Sequence, residues 1–135
     1  MPRTNAGRPE ILGVITESRP EVSLLVVDPP AQLTRVLVDT GFTGSLTVPE
    51  GTLLQWGLKG AIETVRVALA DGSAAFKPSA VVEVLWLGER KEIRAIELGR
   101  GYILGMGLLG GTTIQLEADT VRITRPARRR AKQVV

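Results

Sequence analysis

Val36-Leu37-Val38-Asp39-Thr40-Gly41-Phe42-Thr43-Gly44 is the stretch whose reading decides the fold of this chain. Three β-forming apolar residues run into an aspartate, and a threonine and two spaced glycines follow. That order predicts a strand stopping in a tight turn, with the Asp39 carboxylate at its anchored end, facing a cleft. Asp and Gly are also the commonest turn residues, for steric reasons. Asp39 therefore has two readings at this point, a surface turn or an acid held for chemistry, and the rest of the chain must decide between them.

Composition narrows the chemistry before any further motif is consulted. The chain has 135 residues, enough for one domain with a real core. It contains no cysteine and no histidine. A cysteine nucleophile, a Ser-His-Asp triad, and an imidazole or thiolate metal site are thereby excluded, and disulfides play no part. Acid–base chemistry near neutral pH is left to carboxylates, to lysines, or to the single tyrosine, Tyr102. No cofactor and no metal is expected.

The net charge of +3 is concentrated at one end. Arg125, Arg128, Arg129, Arg130 and Lys132 stand in the last eleven residues without an acid among them, and removing them leaves −2 for the body. The tail from residue 125 to 135 is expected to be a solvated, disordered end. Its charge would suit an anionic surface or nucleic acid. No aromatic residue is interleaved to stack on bases, so nucleic acid is not expected as a partner of Arg125–Lys132. No apolar run reaches the roughly 18 residues of a membrane-spanning helix, so no membrane partner is expected. Met1-Pro2-Arg3-Thr4-Asn5 has no apolar core after a charge, so no signal peptide is expected and cytoplasmic location is the default.

Residues 1–10 are polar with two prolines and are expected to be flexible. Ile11–Thr16 and Val22–Val27 read as strands around a turn at Pro20, and Asp28-Pro29-Pro30 breaks the second. Thr34–Val38 then delivers Asp39. Glu50–Trp56 has Leu53, Leu54 and Trp56 at near-helical spacing between Pro49 and Gly57, and predicts a helix of about two turns. Trp56 reads as core packing. Thr64–Leu69 alternates, Ala70-Asp71-Gly72-Ser73 is a hairpin turn, and the chain returns through Ala74–Lys77. Val81–Leu87 and Ile93–Leu98 form a second hairpin around Gly88-Glu89-Arg90-Lys91. Tyr102-Ile103-Leu104-Gly105 repeats the earlier pattern of apolar residues running into a glycine. Thr113–Glu117 and Val121–Thr124 close the chain as another hairpin. Ten or so short strands with one or two short helices predict an all-β, barrel-like fold.

Asp39-Thr40-Gly41, Ala70-Asp71-Gly72-Ser73 and Ile103-Leu104-Gly105, in that order and spacing, resemble the landmarks of a retropepsin-like aspartic peptidase of the small bacterial single-domain kind. The resemblance covers about residues 11 to 124 and favours the acid over the surface turn at Asp39. It implies a small closed β-barrel with a flap hairpin. It also implies a catalytic Asp39, support of the active-site loop by Thr40 and Gly41, and a flap tip of Asp71, Gly72 and Ser73 that binds substrate with Phe42. Such enzymes use two carboxylates about one water. This chain has one Asp-Thr-Gly, and Gly105-Met106 brings no second acid. A homodimer with Asp39 from each subunit is therefore implied, acting on peptide or protein substrates. Its interface would come from the terminal strands, Ile11–Thr16 and Thr113–Thr124. Two positions depart from the family pattern. Phe42 replaces a small residue, and Gly107 replaces a polar one that often ties the following helix to the active-site loop. Both bear on substrate preference and dimer strength.

Three functions remain distinguishable on sequence. An aspartic endopeptidase loses cleavage in Asp39→Asn. A non-catalytic peptide-binding or assembly module with the same fold binds peptide without turnover. A nucleic-acid-associated protein binds through its tail with steep salt dependence.

Overall fold

Alternation decides which side chains of each strand turn inward. In Arg19–Val26 (β2) the residues Val22, Leu24 and Val26 are buried, and in Gln32–Val38 (β3) Thr34, Val36 and Val38 are. Successive strand residues point to opposite faces, so each strand gives one face to the core. The computed structural model describes residues 9–27 and 31–126. Its other strands are Glu10–Thr16 (β1), Leu46–Val48 (β4), Glu63–Ala68 (β5), Ala74–Trp86 (β6), Glu89–Glu97 (β7), Ile103–Leu104 (β8), Thr113–Glu117 (β9) and Thr120–Thr124 (β10). Two four-residue helices, Thr52–Gln55 (α1) and Met106–Leu109 (α2), and a 3-10 turn at Lys59–Ala61 complete the described elements.

The strands follow one another in the order β5-β6-β7-β4-β8-β3-β2-β1-β10-β9, and β6 pairs again with β2. That second pairing, Leu25 opposite Leu85 and Val26 opposite Val84, closes the strands from β6 round to β2 into a ring. The ring encloses Leu24, Val36, Leu46, Val48, Val82, Val84, Trp86 and Leu104, all nearly inaccessible to water. Full burial of such a side chain contributes roughly 1.5–3 kcal/mol. The all-β expectation holds, with the strands closing on themselves.

The ring's topology matters for Asp39. β8 lies between β3 and β4, parallel to the first and antiparallel to the second. The chain leaving β3 at Asp39 must therefore cross the end of β8 before it enters β4. The two apolar-to-glycine stretches read from sequence meet at this crossing.

Several boundaries differ from expectation, each for a physical reason. The helix expected over Glu50–Trp56 is only one turn, Thr52–Gln55. Gly51 and Gly57, at φ 84° and 76°, leave the helical region on either side. The turn expected around Pro20 is made by Glu17 and Ser18, both at positive φ, so Arg19 and Pro20 already belong to β2. Ala74–Lys77 and most of Val81–Leu87 are one continuous strand through Pro78, which ends at Trp86. β7 pairs with β6 only from Ser79 onward, so Pro78 has a strand neighbour on one side only, where a missing donor is tolerated. The flexible N-terminus and basic tail expected from the sequence lie, for residues 1–8 and 127–135, outside the described residues. No helix among those described is long and apolar enough to cross a membrane.

Candidate active site

Asp39 follows the last β3 residue and is held there by its main chain. Its N–H donates to the Leu104 carbonyl at 2.9 Å, and the Leu37 N–H donates to that of Tyr102 at 2.9 Å. The side chain then closes a turn on itself, with Oδ1 accepting the Gly41 N–H at 2.8 Å. The Phe42 N–H donates to the Asp39 carbonyl at 3.3 Å. This is the Asx-turn use of aspartate. Here it fixes the direction of a half-buried carboxylate. No ion pair among the described residues involves Asp39; the paired acids are Glu10, Glu21, Glu63, Glu83 and Glu89. Thr40 and Gly41 are exposed beside it.

The loop from Asp39 to Ser45 is fastened to the β8–α2 junction by backbone alone. Gly105 N–H donates to the Ser45 carbonyl at 3.0 Å, Met106 N–H to that of Phe42 at 2.7 Å, and Gly107 N–H to that of Gly44 at 3.0 Å. Such close approach explains both glycines. A Cβ at Gly105 would collide with the Gly44 and Phe42 carbonyls and the Phe42 ring, and one at Gly107 with Ser45. Thus the tie that a polar side chain at 107 would provide is made here by that residue's N–H. Phe42 is half-buried, and its ring lies against Gly44 and Gly105.

Asp71, Gly72 and Ser73 sit at the exposed tip of the β5–β6 hairpin. Leu69 N–H donates to the Ser73 carbonyl at 2.8 Å, and Gly72, at φ 86°, donates to that of Leu69 at 3.0 Å. Asp71 Oδ1 accepts from the Ser73 hydroxyl at 2.5 Å and from its N–H at 2.9 Å. The hydroxyl first, and the amide second, hold the Asp71 carboxyl below its ordinary value. No hydrogen bond among the described residues joins this tip to the Asp39 loop. One chain thus brings Asp39, Thr40, Gly41 and Phe42 together with Gly105–Gly107, and leaves Asp71–Ser73 apart from them.

One supporting acid escaped the sequence reading. Glu97 is 7% exposed and accepts the Leu53 N–H at 3.0 Å, so it fastens α1 to the end of β7. The signal was its phase, because Glu97 follows Ile93 and Ala95 at two-residue intervals on the buried face of β7. Trp56 is buried as expected, and its ring stacks on that of Tyr102 at 6.4 Å. Among the described residues no group of three or more acids could hold a metal ion.

No family model matches the chain, and no curated protein matches it. In three dimensions it is similar to a solved structure, a retropepsin-like aspartic protease from Rickettsia conorii. The TM-score is 0.67 at 16% sequence identity, over 87% of this chain and 92% of that one. Likeness at that identity is likeness of fold. The chain therefore has a retropepsin-like fold.

Proposed function

We propose that two copies of this chain form an aspartic endopeptidase, with Asp39 of each contributing one carboxylate to a shared site. The observation that carries this reading is the Asp39 carboxylate itself. It stands at a strand end, directed by the Gly41 amide, with no cation bound to it among the described residues. The crossing beside it offers Gly105-Met106 and no second acid, so the partner carboxylate must come from another chain.

Two carboxyl groups about 3 Å apart cannot both ionise, so the pair holds one proton between them and titrates as a unit. The ionised Asp39 takes a proton from a water as that water's oxygen bonds to the peptide carbonyl carbon. The protonated Asp39 gives its proton to the carbonyl oxygen. Collapse of the tetrahedral intermediate breaks the C–N bond and passes a proton to the leaving amine. Thr40 supports the two Asp39 loops against each other, and Gly41 leaves room for the substrate backbone. The Asp71–Ser73 tip serves as a cover, with Phe42 narrowing a substrate subsite. The substrate binds as an extended strand.

Asp39→Asn tests the reading. Peptide cleavage is expected to fall at least about a thousandfold while the circular dichroism spectrum and the dimer persist. Cleavage within a few-fold of wild type would overturn it. Peptide binding without turnover by the unaltered protein would make this a binding module instead.

A further inference from the structure

The β5–β6 hairpin has two unlike faces. Register alternates without interruption from Glu63 opposite Ser79 to Ala68 opposite Ala74. Val65, Val67, Ala75 and Lys77 share one face and are half-buried. Thr64, Arg66, Ala68, Ala74, Phe76 and Pro78 share the other, and all six are exposed. This second face is the continuation of the ring's interior. The same side of β6 that carries Ala80, Val82, Val84 and Trp86 into the core carries Phe76 and Pro78 beyond it.

A face in phase with the core and yet open is an anomaly. Phe76 is 71% exposed, the highest value among the exposed large apolar residues. Arg66 stands directly opposite it across the strands. No ion pair, hydrogen bond or ring contact engages that guanidinium among the described residues. The face thus presents an aromatic ring, two alanines and a proline around a single uncompensated positive charge. An aromatic beside a free arginine is the composition that dominates recognition surfaces. Arg offers a planar fork of donors that matches a carboxylate.

We propose that this face selects the substrate: an extended peptide whose acidic side chain meets Arg66 and whose neighbouring apolar side chain lies on Phe76. The inference rests on the peptidase reading above and names its substrate class. Arg66 acts as a specificity-determining residue through charge, and Phe76 through apolar contact.

The test uses peptides of one neutral sequence in which a single Glu, Gln or Lys is moved along the chain. Cleavage by the wild-type protein and binding to Asp39→Asn are both measured. At one position Glu is expected to exceed Lys by about fivefold or more, with Gln between them, as suits a partly exposed ion pair. Arg66→Glu should reverse that order, Arg66→Lys should retain it in weakened form, and Phe76→Ser should weaken all three peptides alike. The same order in Arg66→Glu as in wild type overturns the inference. So does a change in self-association in Arg66→Glu without a change in peptide order, because the face would then belong to a second copy of the chain. A Glu-over-Lys order in binding without any cleavage supports the selectivity and counts against the peptidase reading alone.

Discussion

Single side chains here act mainly on the backbone of their own turns. Asp71 shows this at the hairpin tip, where Ser73 holds the carboxylate ionised. Because its folded value is lowered, this group's contribution to order is complete above the ordinary value of 3.8 and is lost as pH falls through the lowered one. Ser73→Ala removes the largest cause, so the Asp71 titration midpoint should rise toward 3.8, as followed by carboxyl carbon resonances. An unmoved midpoint would assign the shift to something other than the hydroxyl. Glu97 also holds backbone, but that of a segment far along the chain. Glu97→Ala leaves the Leu53 amide without its acceptor and opens a cavity, at an expected cost of about 2–4 kcal/mol in denaturant unfolding. Glu97→Gln keeps an acceptor and should cost about 1 kcal/mol. Equal losses in the two variants would mean that the charge, not the acceptor, matters there. The strand end and the turn at Asp39 were legible in the sequence because a β-run ending in Asp-Thr-Gly is a local signal. Glu97 was legible only through its phase with Ile93 and Ala95, since its partner lies 44 residues away.

At the level of elements, the β-runs could be read because burial on one face imposes a period of two. Their ends were harder, because pairing sets them. Nothing local to Ala74–Trp86 says that β7 begins to pair at Ser79, so Ala74–Lys77 and Val81–Leu87 read as two segments. Apolar spacing over Glu50–Trp56 does not show that Gly51 and Gly57 take positive φ, which cuts the helix to a single turn. How the Gly105–Gly107 junction braces the candidate site was hidden for the same reason. Gly105 and Gly107 were both singled out in the sequence, but the steric need for them comes only from the crossing of the Asp39–Ser45 loop over the end of β8. Gly107→Ala tests the brace. The added Cβ meets Ser45, including its amide nitrogen at 2.9 Å, so loop and helix must separate. Overpacking of this kind is expected to cost about 1–3 kcal/mol. Hydrogen exchange at the Gly105, Met106 and Gly107 amides should quicken with it, because these donate to the loop. Unchanged exchange there would mean that the loop does not depend on the brace.

Across the whole molecule, the ring closes through β6 and β2, but the sheet does not end there. Beyond β2 it continues through β1 and β10 to β9, whose outer edge has no strand partner among the described residues. On β9, Ile114 and Leu116 stand opposite the buried Ile123 and Val121 of β10 and share their face. Leu116 is nevertheless 62% exposed. An open edge beside an apolar side chain in phase with the core invites pairing with another chain. The proposed site needs that second chain, so activity and association should be one quantity. At dilute protein, cleavage should rise with the square of chain concentration, and become linear once the dimer is saturated. Leu116→Glu takes an exposed apolar side chain from that edge and puts a charge in its place. It should weaken the dimer at least tenfold, moving that crossover to higher concentration while leaving the saturated rate little changed. Sedimentation velocity on the same samples fixes the dimer fraction independently. Cleavage that remains linear down to concentrations at which sedimentation finds only single chains would place a complete site in one copy, and Asp39 would then need a partner acid within its own chain.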